Sequence, residues 1–144
     1  MSNLRAFLLT IQYAEGTIGP NAYRTLYGGG LLYDLNHHPN QAITKWGITS
    51  TAAGAYQFLH GTWDELEQRL HLPDFSPQSQ DKAAIELIRR KGALPDIAEG
   101  YITNAIHKCR KVWASLPGAD YGQGERKISD LLQAYRNHGG YLKS

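Results

Sequence analysis

The chemistry legible in this chain starts from one carboxylic acid. Glu15 is followed directly by Gly16, and between Glu15 and Asp64 the only other carboxylate is Asp34. Apolar residues recur at Leu4, Leu8 and Ile11, and the next position on that stripe is Glu15 itself, so the acid is expected to face the core from the last turn of a helix. Helix carbonyls and partial burial at such a place both disfavour ionisation and raise the pKa toward neutrality. A carboxyl group that keeps its proton near pH 7 suits general-acid catalysis. The plain alternative is a glutamate that snorkels to water and has no role.

The scarcity of partners narrows the reaction. Cleavage of a glycosidic bond usually takes two carboxyl groups, about 5.5 Å apart for retention or about 6.5 to 9.5 Å apart for inversion. Asp34 lies close to Asn36 and Pro39 and reads as a turn residue hydrogen-bonding its own backbone. One acid suffices if the nucleophile is already in the substrate: the C6 hydroxyl of a muramic acid residue can attack its own C1, with an effective molarity of about 10⁵ M or more.

Other constellations carry less. His37 and His38 are adjacent, and His60, His71, His107 and His138 are scattered, without metal-ligand spacing, so no metal and no cofactor are expected. Gly28 to Gly30 lacks the lysine and helix of a phosphate loop and reads as a hairpin turn. Cys109, the only cysteine, falls in an apolar helical pattern and reads as a buried thiol.

The elements that must position these residues follow from periodicity and punctuation. Residues 3–15 read as a helix about 20 Å long, with Asn3 as its cap and Gly16 as its left-handed stop. From Gly16 to about Phe58 the texture turns to Tyr, Thr, Gly and Leu with turn signals, as in a small antiparallel sheet with hairpin loops. Thr62 and Glu65 form a capping-box pattern ahead of Trp63, Leu66 and Leu70. Ser76 and Pro77 start a helix running toward Gly92. Two more helices carry Ile102, Ile106, Cys109 and Trp113, then Ile128, Leu131, Leu132 and Tyr135. The expected class is α+β, a mostly helical lobe beside a small sheet, with residues 1–144 as a single domain and Glu15 at the edge of a cleft.

A net charge of +2 is too mild to argue for nucleic acid. Arg89, Arg90, Lys91, Lys108, Arg110 and Lys111 read as solvated surface at helix ends and outer faces. No signal peptide or membrane span is apparent, so a substrate outside the cytoplasm would have to be reached through another component.

Five blocks, in order, carry a resemblance over nearly the whole length: Glu15 to Thr17, Ser50 to Gln57, Asp74 to Asp81, Gly92 to Pro95, and Trp113 to Ala119 followed by Tyr121 to Gln123. Together they resemble the bacteriophage lambda endolysin family, phage lytic transglycosylases of the lysozyme superfamily. The resemblance implies cleavage between N-acetylmuramic acid and N-acetylglucosamine without water, leaving a 1,6-anhydromuramoyl end, with Glu15 as the catalytic acid and then base. It implies substrate contacts by Ser50, Thr51, Tyr56 and Gln57 on the sheet side and by Tyr121 on the helical side. The bland readings are packing for the tyrosines and backbone bracing for Gln57. It further implies a monomeric enzyme acting on peptidoglycan glycan strands, held in the host cytoplasm until a holin lesion releases it. Ala52 stands where the family suggests glycine, and residues 35–49, the expected lip of the cleft, look least family-like. Arg24 and Gly30 stand where the other phage lysozyme pattern has an aspartate and a threonine. A hydrolytic muramidase using Asp34 or another acid with water, or a peptidoglycan-binding module without turnover, are the alternatives.

Overall fold

The computed structural model describes residues 2–119 and 124–143. The chain divides into two compact units, one of Met1–Gly16 with Ile85–Ser144 and one of Thr17–Ala84. Among the described residues, no helix is long and apolar enough to cross a membrane.

The first unit is helical. Helix α1 spans Asn3–Glu15, as its periodicity predicts, and buries Phe7, Leu8 and Ile11 completely or nearly so. Its cap is Ser2, whose Oγ accepts from the Arg5 N–H at 3.1 Å; the expectation that Asn3 caps the helix is one residue out. Asn3 is instead a staple. Its Nδ2 donates to Ile97 O and its Oδ1 accepts from the Tyr141 N–H, both at 3.0 Å, tying α4 (Leu94–Glu99) and the C-terminal segment to the start of α1. Helices α5 (Ile102–Cys109) and α6 (Ile128–Asn137) complete this unit, with α1 against α4 and α6, and α5 against both of those. Cys109 is fully buried, and desolvation pushes its thiol up to about 12, far from thiolate chemistry. Helix α4 escapes sequence reading because six residues containing a proline show no period.

The second unit has little regular structure. Strands β1 (Ile43–Lys45) and β2 (Ile48–Ser50) pair antiparallel, with Ile43 opposite Ser50 and Lys45 opposite Ile48. Single 3₁₀ turns cover Ala22–Arg24 and Tyr27–Gly29, and isolated bridges join Thr25 to Leu31, Leu26 to Ala53 and Ala53 to Phe58. Helix α2 spans His60–Leu70, and α3 (Pro77–Arg90) begins in this unit. The core is aromatic. The Trp63 ring lies 4.6 Å from that of Phe75 and 5.2 Å from that of Phe58, with the buried His38 ring 5.2 Å from Phe75. His38 Nε2 donates to Phe58 O at 2.8 Å while its Nδ1 accepts from the Asn40 N–H at 3.0 Å, which requires the neutral ring; burial lowers its pKa accordingly.

With so few ladder bonds, side chains must satisfy the backbone. Gln80, fully buried, accepts from the Ala55 N–H at 2.9 Å and donates to Phe75 O at 2.8 Å and Tyr23 O at 3.0 Å. Thr17 Oγ1 donates to Ala55 O at 2.6 Å. Capping is shared in the same way: Ser76 Oγ accepts from the Ser79 N–H at the start of α3, as expected. Helix α2, however, starts two residues before Thr62, so the local Thr62/Glu65 box is not used, and Thr51 Oγ1 takes the His60 N–H at 3.0 Å.

Gln80→Ala strands two buried backbone groups and one part-buried group at once. The variant is expected to lose at least about 3 kcal/mol in a denaturant melt, and a loss below about 1 kcal/mol would show that these bonds are replaceable.

Candidate active site

Glu15 is the last residue of α1, and the chain leaves it through Gly16 in the left-handed region at φ 77°, where a side chain is strained. The Gly16 N–H returns to Gln12 O and Tyr13 O, closing the helix end. The carboxyl group therefore sits at a fixed point beside the segment that follows α5. Ser115 Oγ donates to Glu15 Oε2. The Ser115 carbonyl accepts from the Arg126 N–H at 2.8 Å. Arg126 in turn donates from Nε to Ala14 O at 3.1 Å, with its guanidinium 5.5 Å from the centroid of the Tyr13 ring.

Three causes set the proton affinity of Glu15. Desolvation raises it, and the Ser115 hydrogen bond and the Arg126 charge lower it; desolvation wins, and the pKa rises from 4.5 to about 7. Among the described residues, no carboxylate is one of these causes. At neutral pH the group is thus divided between acid and carboxylate, the condition under which one residue can give a proton and take one back.

The other residues expected to bear on substrate fall in the second unit, close together in the chain around residues 50–57. Ser50 Oγ accepts from the Ala52 N–H at 3.1 Å, and Thr51 Oγ1 caps α2. Gln57, itself at φ 51°, directs Nε2 at Thr25 O (3.0 Å) and Gly54 O (2.8 Å). Only the nitrogen side of an amide can donate to two carbonyls, so Oε1 faces away, without a protein partner among the described residues. The substrate contact expected of Tyr56 is corrected: its side chain is fully buried, and its hydroxyl donates to Asp81 Oδ1 at 2.6 Å beside that of Tyr23 at 2.9 Å. Tyr121 lies outside the described residues.

Asp34, the only acid available to a two-carboxylate scheme before Asp64, is exposed and accepts from the Asn36 N–H at 2.8 Å. That is the backbone turn its neighbours predict. Among the described residues no three His, Cys, Asp or Glu side chains gather as a metal site would require. Ser115 and Arg126 are the neighbours of Glu15 that sequence reasoning missed. Ser115 falls inside the Trp113 to Ala119 block but outside any periodic pattern, and Arg126 falls in no block, so nothing local aims either at Glu15.

Comparison with known proteins agrees with this architecture. A family model described as Endolysin matches residues 5–142. The endolysin of Escherichia phage lambda is 40% identical over 146 residues, covering 96% of this chain and 92% of the relative, and that of Escherichia phage P2 is 40% identical over 154 residues, covering 96% and 93%. The structure of bacteriophage lambda lysozyme complexed with a chitohexasaccharide superposes with a TM-score of 0.95 at 41% identity, covering 99% of this chain and 98% of that one. A second lambda lysozyme structure gives 0.90 at 39% identity with the same coverage.

Two outcomes follow from the ionisation of Glu15. Ser115→Ala and Arg126→Gln each remove a group that lowers its pKa, so carboxyl NMR titration should place the Glu15 midpoint above about 7; an unmoved midpoint would mean that neither group acts on it. Between pH 4.5 and 7 native Glu15 retains a proton that the unfolded chain has released, so stability falls as pH rises through that window, by ~3 kcal/mol in all. Glu15→Gln should therefore melt higher than the parent at pH 8, with the gap closing below pH 4.5.

Proposed function

This chain belongs to the endolysin family, enzymes that cleave peptidoglycan, and on that premise we propose that it is a lytic transglycosylase in which Glu15 acts alone as acid and then base. The observation that carries the reading is the Glu15 carboxyl held at a pKa of about 7 with no carboxylate among the described residues acting on it. A retaining or inverting hydrolase needs a second carboxyl group, and Asp34 is committed to a backbone turn.

In this scheme protonated Glu15 gives its proton to the oxygen joining muramic acid C1 to the next sugar. The C1–O bond breaks, and its electron pair leaves with that oxygen. The C6 hydroxyl oxygen of the same muramic acid bonds to C1, and its proton passes to the Glu15 carboxylate, which restores the acid. Bonds and protons balance with no water consumed, and the product is a 1,6-anhydro end. Ser115 and Arg126 stabilise the carboxylate that exists between the two transfers, so that the second transfer does not have to begin from an unsupported buried charge.

Sugar binding would draw on groups left over after folding. Gln57 Oε1 is open to accept an N-acetyl N–H, and the Ser50 and Thr51 hydroxyls, each already accepting a backbone N–H, keep their own protons to donate. Tyr121 is proposed as a further contact. The chain works as one catalytic domain of residues 1–144, as a monomer, without a cofactor or metal. It accumulates in the host cytoplasm and reaches the wall when a holin opens the membrane.

Mass spectrometry of sugar ends released from purified Gram-negative peptidoglycan tests this. The expected products are anhydromuramoyl ends, one water lighter than reducing ends, with release slowed at least about 100-fold in Glu15→Gln and little changed in Asp34→Asn. Reducing ends, with Asp34→Asn as damaging as Glu15→Gln, would make the enzyme a two-carboxylate hydrolase. Binding without release would make it a wall-binding module.

A further inference from the structure

The tip of the β1–β2 hairpin is built against the ordinary preferences of a turn. Trp46 and Gly47 are its two central residues, with φ 53° and 75°. Both lie in the left-handed region, the pattern of a turn that favours Asn-Gly. A bulky side chain there is a genuine outlier. Trp46 gains no burial in return, being 75% exposed. Neither backbone preference nor core packing accounts for an indole at this position, and a residue held at such a cost points to function.

Its surroundings hold it in place. The Tyr27 ring stands nearly perpendicular to the indole, 83° at 6.2 Å between centroids, and the Tyr27 hydroxyl donates to Lys45 O at 3.1 Å. Lys45 Nζ lies 5.1 Å from the centroid of the indole and donates to Gly28 O at 2.8 Å. Gly28 makes room for that lysine: it sits at φ 84°, and a Cβ there would stand 2.8 Å from Lys45 Cδ. The result is an exposed indole with a lysine ammonium held over its ring, set on a hairpin whose register is further pinned by the Thr44 and Thr49 hydroxyls 2.7 Å apart.

We propose that Trp46, braced by Tyr27 and Lys45, is a stacking platform for the sugar rings of a peptidoglycan strand. The flat C–H face of a pyranose matches an exposed indole, and the ammonium matches the free carboxylates of the stem peptides that the strand carries; peptidoglycan offers both. The assignment rests on the peptidoglycan reading above and adds to it a determinant of grip outside the chemical step.

The test compares Trp46→Asn and Trp46→Phe in the full chain. Asn suits the turn better than Trp, so Trp46→Asn should melt no lower than the parent, and lost binding cannot be put down to unfolding. Its KM for solubilised peptidoglycan strands should rise about 5-fold or more with kcat kept within about twofold, and Trp46→Phe should recover most of the loss. Sedimentation with purified sacculi, done on a Glu15→Gln background, reads binding without turnover and should show the same order. An active enzyme whose KM and sacculus binding ignore Trp46→Asn would overturn the platform while leaving the proposed reaction standing. A parent that releases no sugar ends would overturn the reaction, with the sacculus assay still deciding the platform. If Trp46→Asn instead abolishes binding to anionic phospholipid vesicles and leaves sacculus binding intact, the surface is a membrane contact and the glycan assignment is wrong.

Discussion

Keeping water from one carboxyl group is the condition on which the proposed chemistry rests, because Glu15 in water would be almost wholly ionised at neutral pH and unable to serve as an acid. Desolvation alone would overshoot, leaving a group that binds its proton too tightly to cycle. Ser115 and Arg126 bring the balance back to about 7, and each does so while serving the framework: the serine carbonyl receives the Arg126 N–H, and the arginine ties down Ala14, the residue before the acid. The tuning of the acid and the anchoring of its helix are thus the same set of bonds. Stability lost by burying an ionisable group is the counterpart of its reactivity, a common trade at active sites.

The second unit solves a different problem. It has only two three-residue strands, so several of its backbone polar groups outside the helices find no ladder partner and are met by side chains. Gln80 serves three of them, Gln57 two, and Thr17 and Thr51 one each. Buried networks of this kind are costly when incomplete and specific when complete. This explains why the blocks from Ser50 to Gln57 and from Asp74 to Asp81 stand out as motifs: Tyr56 and Asp81, or Ala55 and Gln80, are two ends of one bond. A block that looks like a binding motif is here in large part a folding motif, with unused atoms such as Gln57 Oε1 left over for a ligand.

Legibility in the sequence followed the range of the interactions. Helix α1 and its stop at Gly16 were readable because Leu4, Leu8, Ile11 and Glu15 repeat at helical spacing and glycine tolerates the left-handed exit. The Asp34 turn and the Ser76 cap were readable for the same reason, since both bonds close within three residues. Asn3 was misread as a cap because a polar side chain beside a helix start is locally indistinguishable from one aimed elsewhere; its partners are Ile97 and Tyr141. Thr62 was misread likewise, the cap of α2 coming from Thr51.

By itself the sequence determined the helical frame apart from α4, the α+β class, the acid at the end of the first helix and the family, since these depend on periodicity, punctuation and ordered blocks along the chain. Only the tertiary structure decided what acts on that acid and which motif residues are spent on folding. The physical reason is distance along the chain: Ser115 lies 100 residues from Glu15, and Arg126 lies 112 from Ala14. No local pattern encodes a hydrogen bond whose two ends are brought together only by the packing of other helices.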